Sequence, residues 1–204
     1  MSSSFFKFFT ISTCFFFIFI FFLSLIFIPI LSSPQSISLS ASLPSSYRMQ
    51  DNSSFLWPSP GYTTITSSFG KRKAPTSGAS TFHSGIDIGI PAGTPLLAIL
   101  SGIVTKTNFS GAGGCTITFK SGDYTISYCH VSPIYLVNVG DRVKQGQVIA
   151  KVGPKNVYGI ANNPYRDRNG NPTNGATTGA HLHLTIRKSG ELVNPLDLFT
   201  LPQN

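Results

Sequence analysis

The chain has 204 residues, of which 11% are charged, and carries a formal net charge of +8. With 19 Gly, 14 Pro and a single glutamate, Glu191, it lacks the long polar helix formers of a helical domain and reads as short strands joined by many turns. Its Lys and Arg form no block interleaved with aromatics, which argues against a nucleic-acid module; a basic chain also suits an anionic membrane surface or cell wall.

Residues 5–31 are almost wholly apolar, rich in Phe and Ile, with Lys7 as their only charge. A bilayer-spanning helix needs about 20 such residues, and a secretory apolar core runs to only about 15. Residues 1–31 are therefore expected to be an uncleaved transmembrane anchor. The alternative is a cleaved signal, for which Ser38-Leu39-Ser40 offers small residues. Either way the remainder is exported, with Lys7 and the terminal amine inside. No later stretch is apolar enough for a second span. Residues 32–54 are dominated by Ser and have too little apolar surface to fold alone. They read as a linker, followed by one folded domain over residues 55–204.

In that domain, residues 63–70 suggest a short strand ended by Gly70, and residues 71–80 a basic loop. In His83-Ser84-Gly85-Ile86-Asp87-Ile88-Gly89 the glycines disfavour a helix. As one extended run it would put His83, Gly85 and Asp87 on one face, with Gly85 leaving room between the other two. Residues 93–98 and 102–106 are β-like. Residues 116–119 and 124–128 flank Ser121-Gly122-Asp123 and predict a hairpin. Centred on Gly122, that hairpin sets Cys115 opposite Cys129, which allows a disulfide in an oxidising compartment; the alternative is two small buried thiols.

Residues 137–153 predict two short strands joined by a tight turn, similar to stretches in lipoyl-type barrels. Residues 154–178 read as a long polar loop, and loops of this length tend to be functional. Tyr158, Tyr165, Arg166 and Arg168 in it are candidates to line a substrate groove, the alternative being an ordinary surface loop. A final strand covers residues 181–186.

The chain has four histidines, His83, His130, His181 and His183. Strand periodicity lets His181 and His183 present both imidazoles to one site. Together with Asp87 they are the ligand types of a zinc centre, in which three protein ligands and an open position make a catalytic site. Composition and spacing leave open which of the five residues bind metal and which serve catalysis. There is no His-Glu-x-x-His helix and no Gly-x-Ser-x-Gly elbow.

The ordered set Phe69-Gly70-Lys71-Arg72, His83-Ser84-Gly85-Ile86-Asp87, Gly93-Thr94-Pro95, Tyr128-Cys129-His130, Val143-Lys144-Gln145-Gly146-Gln147-Val148-Ile149 and Thr178-Gly179-Ala180-His181-Leu182-His183 resembles the LytM/lysostaphin family of zinc metallopeptidases, peptidase family M23. The resemblance runs over about residues 62–197. It implies an all-β domain, a small antiparallel sheet or sandwich hybridised with a lipoyl-like barrel, with an active-site groove. It implies one Zn2+ held by His83, Asp87 and His183, with His130 and His181 as the non-ligand catalytic histidines that activate water and stabilise the tetrahedral intermediate. The implied substrate is bacterial peptidoglycan, cut at peptide bonds in stems or cross-bridges, with the domain outside the cytoplasm and the membrane reached through the N-terminal segment. The alternative is a non-catalytic wall-binding domain that activates other hydrolases. The chain departs from the family pattern at Cys129 and Val131 around His130, at Leu184-Thr185 after His183, and in the longer Asn-rich loop. Tyr165 is the candidate for an oxyanion-assisting tyrosine.

Overall fold

The computed structural model describes residues 54–200. The expected anchor over residues 1–31, and all but the last residue of the linker, lie outside the described residues. Among the described residues no helix is long and apolar enough to cross a membrane.

Twelve strands follow one another, with 3-10 turns at Gly111–Gly113 and Pro195–Leu198 and no α-helix among the described residues. They are β1 (Ile65–Ser67), β2 (Gly70–Lys71), β3 (Phe82–His83), β4 (Ile86–Ile88), β5 (Pro95–Leu97), β6 (Gly102–Phe109), β7 (Cys115–Ser121), β8 (Tyr124–Cys129), β9 (Arg142–Val143), β10 (Val148–Lys151), β11 (Leu182–Lys188) and β12 (Glu191–Val193). The main antiparallel sheet runs β1-β4-β11-β8-β7-β6-β9, with β12 also paired to β11; β5 with β10 and β2 with β3 form two ribbons. The expected all-β antiparallel architecture is what the described residues adopt.

Alternation along the strands gives the main sheet two chemically different faces. Ile86 and Ile88 of β4, Ile126 and Tyr128 of β8, and Leu182, Leu184 and Ile186 of β11 are fully buried. They form one continuous core with Leu96, Ile99, Ile149 and Val152. Tyr128 ties the β5 segment to this face: its hydroxyl donates to the Leu97 carbonyl at 2.7 Å and accepts from the Ile99 N–H at 3.2 Å. Burial lifts that phenol far above the usual tyrosine range, as suits a hydroxyl sealed in the core. On the opposite face Asp87, His183 and Cys129 form a row, because His183 is the cross-strand partner of both.

Three local expectations change. Residues 83–87 are not one strand. His83 pairs with Gly70 in the β2–β3 ribbon, so Gly70 opens a strand instead of closing one, and Asp87 pairs in the main sheet. The chain bends at Ser84-Gly85 between them. Gly85 lies directly on the Leu184 backbone, where any Cβ would collide with the carbonyl. Its role is close approach between chains, not room between His83 and Asp87.

The hairpin register is one residue off the expected one. Ser121 pairs with Tyr124 across a two-residue Gly122-Asp123 turn, in which Gly122 takes a φ of 53°, the conformation that a tight hairpin asks of glycine at that position. A one-residue slip moves every partner. The pairs Thr118↔Ser127 and Ile117↔Tyr128 continue to Thr116 opposite Cys129, and both Cys115 and Cys129 are free thiols.

The two strands expected in residues 137–153 form, but they do not pair with each other. β9 pairs with β6 and β10 with β5. The tight turn is present, with Gln147 N–H donating to the Lys144 carbonyl at 3.0 Å.

Candidate metal centre and groove

A groove of about 610 Å³ opens on the polar face of the sheet, lined among others by His83, Asp87, His130, His181 and His183. All five candidate residues from the sequence thus meet in one place, from four different segments. Asp87 and His183 arrive on paired strands of the main sheet. His83 comes in on the ribbon. His181 stands one residue before β11. His130 follows β8 directly, with a φ of 58°. A positive φ is unfavourable for a non-glycine residue and persists only where its surroundings hold it. Here the His130 N–H donates to the Gly113 carbonyl at 2.8 Å and the His130 carbonyl accepts from Gly153 N–H at 2.9 Å. The bend turns the imidazole off the strand and toward the groove.

Three of the five converge at the atomic level. His83 Nε2 lies 3.1 Å from Asp87 Oδ1 and 2.8 Å from His183 Nδ1, and His183 Nδ1 lies 2.8 Å from Asp87 Oδ1. Two ligand atoms of one zinc ion, each about 2.0–2.2 Å from it, lie at most about 4.4 Å apart, and all three pairs satisfy this. The outer bonds suit the same role. His83 Nδ1–H donates to the Ser68 carbonyl at 2.8 Å, which leaves the Nε2 lone pair facing inward. His183 Nε2 meets Thr185 Oγ1 at 2.8 Å; with the hydroxyl accepting, Nδ1 also presents a lone pair. Two imidazole nitrogens and a carboxylate oxygen, each oriented by an outer hydrogen bond, are the donor set and supporting shell of a divalent metal site. The same three residues stand out as a group able to hold a metal ion. The residues fit zinc.

The remaining two histidines sit beside this cluster. The His130 and His181 ring centroids are 4.6 Å apart, and His130 lies 6.2 Å from His183. His130 Nδ1–H donates to the Asn174 carbonyl at 2.6 Å, and His181 Nδ1–H donates to the Gly179 carbonyl at 2.9 Å. Each therefore keeps Nε2 free. His181 Nε2 lies 3.5 Å from Asp87 Oδ1.

Burial works to raise the Asp87 carboxyl, but the adjacent His183 and His83 imidazoles, followed by His181, outweigh it and hold the group well below the usual carboxylate range. Burial, followed by the charge of His181, pushes His130 down to about 3, so its imidazole is neutral at neutral pH. Burial likewise lowers His183. Cys129 is pushed up to about 11 by burial and is a neutral thiol on the groove floor.

Residues that the sequence did not single out complete the site. Arg72 Nη1 donates to Asp87 Oδ2 at 3.1 Å and to Ser67 Oγ at 2.5 Å. Asn174 is fully buried; its side chain accepts from Cys115 N–H at 2.7 Å and donates to the Val131 carbonyl at 2.9 Å. That clamp fixes the backbone carbonyl which orients His130. For Arg72 a signal existed, its place in Phe69-Gly70-Lys71-Arg72. Asn174 is one asparagine among several in a polar loop, with nothing local to mark it.

The four candidate groove residues of the long loop do not line it. Tyr158 is 70% exposed, Arg166 donates to the carbonyls of Asn163 and Tyr165, and Tyr158, Tyr165, Arg166 and Arg168 are all absent from the lining. Tyr165 instead packs near Gly78 and Gly111.

Comparison with known proteins agrees with this geometry. The chain is 30% identical over 138 residues to the DD-carboxypeptidase/endopeptidase Mpg of Neisseria meningitidis, a match covering 67% of this chain and 27% of that protein. It is 31% identical over 141 residues to the peptidoglycan DD-endopeptidase ShyC of Vibrio cholerae, covering 68% and 28%. The chain thus spans under a third of the length of these curated relatives. Among solved structures, a zinc-containing peptidase from Vibrio cholerae aligns with a TM-score of 0.53 at 28% identity, covering 69% of this chain and 38% of that one. The catalytic domain of the antimicrobial peptidase lysostaphin from Staphylococcus simulans aligns with a TM-score of 0.51 at 26% identity, covering 67% and 90%. The family model for peptidase family M23 matches residues 81–195. That span is more than half of the chain and contains His83, Asp87, His130, His181 and His183 together, so the protein belongs to peptidase family M23.

Proposed function

We propose that this protein is a zinc metalloendopeptidase that hydrolyses peptide bonds of bacterial peptidoglycan, in stems or cross-bridges. The observation that carries this reading is the convergence of His83 Nε2, Asp87 Oδ1 and His183 Nδ1 within 3.1 Å of one another. The name of the Vibrio relative, a peptidoglycan DD-endopeptidase, supplies the substrate class.

In this reading His83, Asp87 and His183 hold one Zn2+. Bound zinc acidifies water to near neutral pH and polarises a carbonyl. The protein's own residues do the rest. His130, neutral because it is buried, accepts the proton of the attacking water at Nε2, since Nδ1–H is committed to Asn174. His181 Nε2 lies on the same side of the groove and, when protonated, donates to the developing oxyanion. Arg72 takes one carboxylate oxygen of Asp87 and leaves the other to the metal cluster. The substrate peptide lies along the groove, where Arg72 and Lys73 are the charged lining side chains besides Asp87 and the histidines; a cationic lining suits the carboxylates of a stem peptide.

The apolar stretch over residues 5–31 supports export to the cell envelope with residues 1–31 as a membrane anchor, residues 32–54 as a tether, and residues 55–204 as the peptidase domain outside the cytoplasm. The test uses the full chain in detergent on purified sacculi. Soluble muropeptides should appear with zinc, stop with a chelator and return on zinc addition. Wall binding without release in the zinc-loaded protein would overturn the reading in favour of a non-catalytic activator of other hydrolases.

A further inference from the structure

The polar face that carries the metal cluster continues well past it. Side chains at i, i+2 and i+4 of a strand share a face, and so do directly paired residues of an antiparallel sheet. From the row of Asp87, His183 and Cys129, β11 and β8 lead through Thr185 and Ser127 to Arg187 and Thr125. Thr185 is the partner of Ser127, and Ser127 of Thr118. This middle row is hydroxylic. Thr118 Oγ1 and Ser127 Oγ lie 2.9 Å apart, and Thr185 Oγ1 meets His183 Nε2. Lys106, the partner of Thr118 just past the β6 bulge, ends it.

The next row runs across the sheet from β12 to β9. Register places Leu192, Arg187, Thr125, Lys120, Ile103 and Arg142 side by side in it. It holds three cations and no anion. Arg142, Lys120 and Arg187 are exposed, as is Lys106. Among the described residues, the carboxylates in ion pairs with Lys or Arg are Asp87 and Asp167, engaged by Arg72 and Lys155; neither reaches this row. Asp141, beside Arg142 in the chain, turns back to accept from Asn138 N–H at 2.8 Å. Arg187 and Lys106 each make a neutral hydrogen bond, to the Gly190 carbonyl at 3.0 Å and Ser110 Oγ at 3.2 Å, which leaves their charges uncompensated. Strands lie about 4.8 Å apart and rise about 3.4 Å per residue. Successive cations of the row are therefore about 10 Å apart, and the row stands about 14 Å from the metal ligands on the same face.

We propose, on the reading of this protein as a peptidoglycan hydrolase, that Arg142, Lys120 and Arg187 form a second binding surface for the carboxylates of the wall polymer. Unpaired like charges in a row suit an external polyanion. About four residues of extended peptide span the distance from the metal ligands, along a strip lined by hydroxyls. An anionic bilayer fits this row less well, because lipid laid on it would cover the face on which the groove opens. The surface engages polymer beyond the bond that is cut, so it acts on binding and not on the chemical step.

The test uses the full zinc-loaded chain in phosphatidylcholine nanodiscs, with purified sacculi as ligand and substrate. Binding is read by co-sedimentation on ice and hydrolysis by muropeptide release. Lys120→Glu with Arg187→Glu should weaken binding and raise the apparent KM by about tenfold or more, with kcat held within about twofold. The pair Lys120→Gln and Arg187→Gln should show a smaller loss of the same kind. Lys151→Glu, on the separate β5–β10 ribbon, should change binding by less than about twofold. Amidation of the sacculus carboxylates should lower wild-type binding to the level of the Glu double variant. Unchanged binding and KM in both double variants would overturn the surface, as would full wild-type binding to amidated sacculi. Phosphatidylglycerol in the disc that displaces sacculi from wild type, but not from the double variants, would assign the row to lipid and overturn it too. Row-dependent binding without hydrolysis would overturn the peptidase reading and support the surface. Hydrolysis with row-independent binding would do the reverse.

Discussion

Arg72 engages one of the two carboxylate oxygens of Asp87 and leaves the other to the histidines. Arg72 Nη1 donates to Asp87 Oδ2 at 3.1 Å, while Oδ1 faces His83 and His183. The guanidinium therefore decides which oxygen of Asp87 is free to meet a metal, and it holds the carboxylate against rotation. Its second bond, to Ser67, links it to the neighbour of His83 Nδ1. Outer partners of this kind are worth about 10–100-fold in metal affinity. Arg72→Ala should weaken zinc binding by that factor, measured by competition with a chromophoric chelator, with fold content by circular dichroism unchanged. Arg72→Lys should recover only part of the loss, because an ammonium cannot reproduce the planar fork. Wild-type zinc affinity in Arg72→Ala would remove Arg72 from the site.

The two histidines flanking Leu182 should separate under mutation. His183→Ala should lose zinc and hydrolysis together, since its Nδ1 is one of the three convergent atoms. His181→Ala should retain most of the zinc and lose turnover by about 100-fold or more. Metal content by atomic emission, beside muropeptide release, checks both; equal zinc loss in the two variants would merge their roles.

Gly85→Ala tests the fold that carries the site. The new methyl group would collide with the Leu184 carbonyl, in backbone that also sets the pairing of His183 with Asp87. We expect destabilisation of about 3 kcal/mol or more, read as a lower urea midpoint. Ala at Gly190, in open space but at a positive φ of 92°, should cost about 1 kcal/mol. Comparable midpoints for the two variants would show that the backbone relaxes around Gly85.

Acid should destabilise the metal-stripped protein before its carboxylates titrate. His130 binds its proton near pH 6.5 when unfolded and only at about 3 when folded. Between those values the unfolded chain holds more protons, so stability falls as pH falls through that window. His183 is lowered as well and acts with the same sign. From pH 6.5 to 4.5 the His130 share is roughly 2–3 kcal/mol. Urea midpoints at the two pH values measure it, and His130→Gln should flatten the slope. An unchanged slope in that variant would place the effect elsewhere.

Much of the site was legible because its chemistry sits in short motifs. Two histidines at i and i+2, and a histidine four residues before an aspartate, name donor types before any fold is known. The alternation of Ile126, Tyr128, Leu182, Leu184 and Ile186 with polar neighbours likewise marks strands whose two faces differ. Register was not legible. Gly122 serves a three-residue and a two-residue hairpin equally well on paper, and the difference moves Cys129 from Cys115 to a place opposite Thr116. The break between His83 and Asp87 was also hidden, because it depends on Leu184, about a hundred residues away in the chain.

The amino-acid sequence by itself determined the chemical inventory: an all-β pattern, four histidines and an aspartate of zinc-ligand type, and an apolar N-terminal stretch. Tertiary structure alone decided which atoms face one another. The Nδ1–H bonds from His83 to Ser68 and from His130 to Asn174 choose the nitrogen each imidazole offers inward, and Arg72 chooses the oxygen of Asp87. Those choices rest on contacts between segments distant in sequence, and a hydrogen bond is sensitive to displacements of tenths of an ångström that no local residue pattern encodes.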